Sequence, residues 1–264
     1  MAFQNYNIRK GLLGSEWVGL DVFKKILSSQ KFWRVFGNTL RLNVLGLLLG
    51  FPAPIILALL LNEIGSKWFK KTVQTILYLP HFLSWVMIGG IAILFFATNE
   101  GMVNQVLSSL GLEKIPFLTD PNTWVWTYVG IGIWQGVGWG AIVYLSAIMG
   151  IDQEQYDAAK VDGCNRFRMM YLITIPNIIP TIVIMLILRV GSMTSISLDR
   201  PLMLGNAMVR STSDVISTYA YTMGIGQGNF SNATAIGLFQ SVINYILLVS
   251  TNKFSKKLTE ESLW

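Results

Sequence analysis

Long runs without a charged side chain alternate with short polar connections along this chain, and five of the runs are long enough to cross a lipid bilayer. Residues 42–61 are uncharged, and a helix rising 1.5 Å per residue over that stretch covers about 30 Å. The first predicted span is residues 38–61, kinked by Pro52 and Pro54. The second lies within 72–98, where His81 and Tyr78 are the ionisable side chains and Pro80 breaks or bends the helix near its start. The third lies within 123–151, and Gly132/Gly136 and Gly136/Gly140, four apart, predict close approach of another backbone. The fourth begins at Met169 or Asn177, with Pro176 and Pro180 at its entrance, and runs to about 196. The fifth covers 229–252. Residues 215–228 are apolar but interrupted by Gly224, Gly226 and Gly228, which predicts a half-inserted or surface helix.

The polar segments divide by charge. Residues 62–71, 152–168 and 253–264 carry nine Lys or Arg, whereas 99–122 and 197–228 carry three, so the first set is expected on the cytoplasmic side. Residues 1–37 add six more to the outer side and bring the count level; they are set aside because no span precedes them. In that segment Phe23, Ile26 and Leu27 share one helical face and Phe32, Val35 and Phe36 another, predicting one or two short amphipathic helices at a membrane interface. Within 99–122, Val103, Val106, Leu107 and Leu110 predict a helix ended by Gly111. The organisation expected is an external segment 1–37, a transmembrane domain 38–252 and a cytoplasmic tail 253–264.

Residues 152–176 hang as a polar element between two uncharged runs. Asp152 is placed to cap a helix and Gln155 to reach back in a capping box. The helix runs to about 162 and stops at Gly163, where a left-handed residue costs least. Asn165 caps a second short helix that Pro176 ends.

Composition narrows the class. With 52% hydrophobic and 13% charged residues the chain is an all-α integral membrane protein, and its formal charge of +6 is gathered beside apolar runs rather than in one nucleic-acid-binding stripe. One cysteine, Cys164, excludes an internal disulfide. No Gly-Lys dipeptide is present, so there is no P-loop, and one His with one distant Cys offers neither a His-Cys metal cluster nor a nucleophile–base pair. No cleavable signal peptide is visible.

The spacing Asp157-Ala158-Ala159, three residues, Gly163, nine residues, Ile173, one residue, Ile175-Pro176 resembles the loop motif of ABC importer permeases. The family motif has Glu where Asp157 stands and Leu where Ile175 stands; both exchanges keep charge or bulk. The stretches 14–20 and 51–63, Tyr78-Leu79-Pro80-His81-Phe82 and Ser262-Leu263-Trp264 further resemble carbohydrate-uptake permeases related to the maltose permease pair, in the branch that imports oligosaccharides or polysaccharide breakdown products. That family usually has six spans with both ends in the cytoplasm, so the five-span bundle implies that this sequence lacks one N-terminal span.

The resemblance implies an ATP-driven importer. Asp157, Ala158, Ala159, Gly163, Ile173 and Pro176 would form the ATPase-docking element, and helix 153–162 would sit in a groove of a separate ATPase. No cofactor would be bound by this chain, with ATP and Mg held by the ATPase pair. The other partners implied are a second permease, an extracellular solute-binding protein, membrane lipid and an oligosaccharide substrate, with no nucleic acid. The 214–230 region would face the binding protein.

Polar and aromatic groups inside spans are the candidates for a sugar path: Trp134, Gln135, Trp139 and Tyr144 on the third span, Gln240 and Asn244 on the fifth. Helix–helix bonding and interface anchoring are the competing roles for each. His81 is either a hydrogen-bonded interface residue or a ligand or proton relay, and Arg189 snorkels towards the outer interface. An importer of peptides or lipid-like solutes, a membrane scaffold and an intramembrane enzyme are the alternative functions.

Overall fold

The computed structural model describes residues 1–259, so Ser262, Leu263 and Trp264 lie outside the described residues. The apolar runs become helices: α1 (Asp21–Leu27), α2 (Gln30–Gly50), α3 (Pro52–Asn62), α4 (Lys67–Tyr78), α5 (Trp85–Phe96), α6 (Met102–Ser109), α7 (Pro121–Met149), α8 (Gln153–Val161), α9 (Arg166–Met169), α10 (Ile175–Gly191), α11 (Asp199–Leu204), α12 (Ile216–Tyr221) and α13 (Phe230–Thr259). Among the described residues, four helical stretches are long and apolar enough to span a membrane: Gln30–Asn62, Pro121–Met149, Arg166–Gly191 and Phe230–Lys257. The pair Lys67–Phe82 and Trp85–Phe96 makes a fifth if taken as one broken span, with the interruption near Pro80 that the sequence leads one to expect. The break falls after Pro80, at Leu83, whose extended backbone ends one helix, while the Ser84 hydroxyl accepts from the Met87 amide at 3.3 Å and starts the next.

The chain divides into two compact units. The first comprises Met1–Leu45, Ser84–Ile131 and Ser192–Leu247. Its core joins Val22 and Ile26 of α1, Phe32 and Val35 of α2, Ile216 and Tyr219 of α12, and Ala235 and Ile236 of α13. Phe239 meets Phe32 at 5.4 Å and Phe36 at 5.9 Å between ring centres. Val22, Ile26, Phe32 and Val35 of the N-terminal segment pack into this core, and residues 30–37 begin the first spanning helix. Two short strands add to this, pairing Gln4 with Trp17 and Asn5 with Glu16. Ser231 ties them to α13, accepting from the Tyr6 amide at 2.9 Å and donating to the Gln4 carbonyl at 2.6 Å. Residues 215–228 form no span, as expected: Val215, Ile216 and Tyr219 are buried, with Ile216 and Tyr219 packed against α1 and α2, while Tyr221 and Ile225 stay exposed.

Three polar side chains organise the connections of this unit. Asn104 is fully buried and bonds the Ala97 and Ile115 carbonyls and the Ile115 amide, fixing α6 against its flanking loop. The fully buried Trp124 donates from Nε1 to the Leu204 carbonyl at 2.8 Å. Arg200 lies 3.8 Å from the Tyr128 ring centre and 5.2 Å from that of Trp85, and donates to the Tyr128 carbonyl. As expected, α6 ends at Gly111, with φ +75°.

The second unit comprises Gly46–Leu83, Gly132–Gly191 and the described residues from Leu248 on. Ala58, Leu59 and Leu61 of α3, Ala141, Tyr144, Leu145 and Ile148 of α7, and Ile178 of α10 form its core. The close backbone approach foreseen for α7 is real but displaced. A Cβ on Gly138 would collide with the Leu77 carbonyl and one on Gly140 would come within 3.0 Å of Pro54, whereas Gly136 faces open space. In place of a helix ended at Pro176, α9, a π turn (Met170–Thr174) and α10 run on as one helix from Arg166 to Gly191. The wider π turn lies where the Pro176 ring would press on the carbonyl of the preceding turn, so the helix bends its bonding pattern instead of stopping.

Candidate docking element and path residues

The second unit presents α8 as a short polar helix with both ends closed. The Asp152 carboxylate accepts from the Glu154 amide at 2.9 Å. Gln155 does not complete the capping box; its side-chain oxygen accepts from Asn177 Nδ2 at 3.0 Å. At the far end Gly163 adopts φ +74°, its amide donating to the Lys160 carbonyl at 3.0 Å and that of Cys164 to the Ala159 carbonyl at 2.9 Å. This is a Schellman closure, which satisfies two otherwise free helix carbonyls. Asn165 then caps α9 by accepting from the Arg168 amide at 2.9 Å.

No residue of α8 is buried, yet the helix is fastened to the span that follows. The Tyr156 hydroxyl meets the Thr174 hydroxyl at 2.9 Å, and Asn177 bridges Gln155 and the Ile173 carbonyl, the latter at 2.8 Å. A cleft of about 400 Å³ lined by Glu63, Ile148, Tyr156, Lys160, Met170 and Thr174 separates the helix from the span ends. The outer face bears Asp157 and Ala158, both exposed, and Val161 at 89% exposure; Phe167, at 79%, continues the apolar surface past the turn. Ala159 and Ile173 are half-buried and Pro176 is exposed. Lys160, hydrogen-bonded to Asp157 at 2.8 Å, holds that carboxyl below its ordinary value. Tyr156, Thr174 and Asn177 escaped the sequence reading, because polar latches between separate helices leave no periodic pattern.

The path candidates separate. Trp139 stacks flat on His81, ring centres 4.6 Å apart and planes 2° apart, and Gln135 Nε2 donates to the His81 carbonyl at 3.4 Å. Trp134 and Trp139 remain 43% and 47% exposed. His81, Gln135 and Trp139 are brought together in the second unit, whereas Trp134 shares only helix α7 with Gln135 and Trp139. Tyr144 is not among them: it is 2% exposed and packs in the core with residues of α3 and α10. In the first unit Gln240 and Asn244 both bond residues 194–195: Gln240 Nε2 donates to the Thr194 carbonyl at 2.6 Å and Asn244 accepts from the Thr194 hydroxyl at 2.7 Å. Their amides fasten a turn, the helix-bonding role, rather than standing free for a ligand.

Comparison with known proteins places these features in a family. Residues 50–260 match the family described as binding-protein-dependent transport system inner membrane component. The chain is 44% identical to protein LplB of Bacillus subtilis, over 100% of this chain and 83% of that protein. It is 40% identical to the polygalacturonan/rhamnogalacturonan transport system permease protein YteP of Bacillus subtilis, over 100% of this chain and 82% of that one. The solved structure of a bacterial ABC transporter involved in import of the acidic polysaccharide alginate superposes with a TM-score of 0.88 at 41% identity, covering 92% of this chain and 85% of its own. A second structure of the alginate transporter, in complex with an alginate pentasaccharide-bound periplasmic protein, gives a TM-score of 0.88 at 40% identity over 93% of this chain and 85% of its own. The chain belongs to the binding-protein-dependent transport system inner membrane components, and is a multi-pass permease subunit of an ABC importer, not an enzyme.

Proposed function

We propose that this permease imports oligosaccharides released from polysaccharides, driven by ATP hydrolysed on separate subunits. One permease it resembles is named for polygalacturonan and rhamnogalacturonan and one transporter for alginate, which supports the cargo class. The observation that carries the mechanism is α8: a helix with no buried residue, closed at both ends and latched through Tyr156 and Asn177 to the foot of the next span.

In this reading α8 faces the cytoplasm and docks on one of two ABC ATPases, which hold ATP and Mg. Asp157 and Lys160 present charge to the docking groove, Ala158 and Ala159 keep the face low, and Gly163 allows the tight exit. Ile173 and Pro176 lie where the push enters the span. A second permease completes the pore, a solute-binding protein delivers cargo from outside, and Trp134, Gln135 and Trp139 line the sugar path. ATPase closure would move α8 with the foot of α10 and switch the access of the pore.

The test uses Gly163→Trp and Asp157→Lys in the assembled transporter. Uptake of labelled oligosaccharide should collapse while binding by the solute-binding protein is unchanged; normal ATP-driven uptake in both variants would overturn the docking role.

A further inference from the structure

We infer that Lys31, Arg34 and Arg41 form a cationic stripe that selects anionic, carboxylate-bearing oligosaccharides, an inference that rests on the importer reading above. The three cations recur at helical spacing along α2, with Lys31 about 15 Å from Arg41. Each is exposed, and among the described residues none is in an ion pair. Lys31 is steadied over the Tyr219 ring, 5.5 Å from its centre. The stripe is turned by roughly a third of a revolution from the buried face formed by Phe32, Val35, Thr39, Leu42 and Asn43, so packing does not account for it.

Two observations point to a ligand. Arg41 stands at the head of an uncharged run reaching to residue 61, and a guanidinium without a partner at that depth is unfavourable against hydrocarbon, so it belongs towards water or cargo. In the orientation set by the docking element, Lys31 and Arg34 stand on the outer side with four further Lys or Arg of residues 1–37. Charge in that position raises the local concentration of an anion approaching the pore. The stripe also borders the loop that would receive the binding protein: Asn38, one turn beyond Arg34, donates to the Ser211 carbonyl at 2.8 Å and the Asp214 carbonyl at 3.0 Å. Cargo released there meets the cations first.

The experiment uses the complete transporter in proteoliposomes, with trigalacturonate and its fully methyl-esterified, uncharged form as a matched pair. Uptake of each is normalised to its affinity for the solute-binding protein. The triple variant Lys31→Gln/Arg34→Gln/Arg41→Gln should lower trigalacturonate uptake about tenfold at low salt, with the ester unaffected and the gap narrowing as salt rises. The charge-preserving variant Lys31→Arg/Arg34→Lys/Arg41→Lys should retain uptake of both, which separates lost charge from lost folding. Equal effects on the two sugars, no effect on either, or a loss that follows the anionic lipid content of the vesicle would overturn the stripe alone. Failure of the unmodified transporter to import either sugar would bring down the oligosaccharide reading along with it.

Discussion

Gly163 carries the sharpest single-residue constraint on the docking element. At φ +74° an L side chain costs on the order of 1–2 kcal/mol, although a Cβ there meets no atom within 4 Å. Gly163→Ala should therefore fray the end of α8 without a steric clash, seen as faster hydrogen exchange at the Gly163 and Cys164 amides, and Gly163→Asn should recover part of the loss. Asp157 offers a second test. Because Lys160 lowers its pKa, the pair is lost at a lower pH than that at which an unpaired aspartate protonates. Lys160→Ala should raise the Asp157 pKa, which carbon-detected NMR of the carboxyl would read. Both residues were legible beforehand, Gly163 from its place after a capped polar run and Asp157 from motif spacing. Tyr156 was not, since its partner Thr174 stands eighteen residues away and on another helix.

Helix pairs explain where the sequence misled. The glycines of α7 announce close packing, yet only three-dimensional register says that Gly138 and Gly140, not Gly136, meet the neighbouring helices. Gly138→Ala should force the backbone at Leu77 to move and destabilise the protein by about 1–3 kcal/mol, measured as a lowered Tm in detergent, while Gly136→Ala should leave Tm nearly unchanged. Trp124→Phe strands the Leu204 carbonyl in the core and should lower stability by about 1–3 kcal/mol by the same measurement. Pro176 shows the opposite failure: a residue that usually ends helices is absorbed by a π turn, a local change of hydrogen bonding with no signature in composition.

Across the whole molecule, absence of charge located the spanning helices because no bilayer tolerates a long unpaired charged run. The same rule could not tell lipid from protein as the burial environment. Residues 215–228 read as a half-inserted or surface helix and the first helices as interfacial, and the sequence did not show that Ile216, Tyr219, Val22 and Phe32 share one core. Amide side chains were ambiguous for the same reason, and Gln240 and Asn244 turned out to hold the 194–195 turn. If that bonding is their use, Asn244→Ala should reduce thermal stability and import of charged and uncharged sugars alike.

The chain's one thiol, Cys164, is half-exposed and occupies the position directly after the glycine turn of the docking element. Nature has thus left a unique chemical handle beside the Gly163 turn. A maleimide fluorophore or spin label attached to the unaltered chain before assembly would report on that turn, with no background from other thiols of this chain, and its signal should change between nucleotide-free and ATP-bound assemblies.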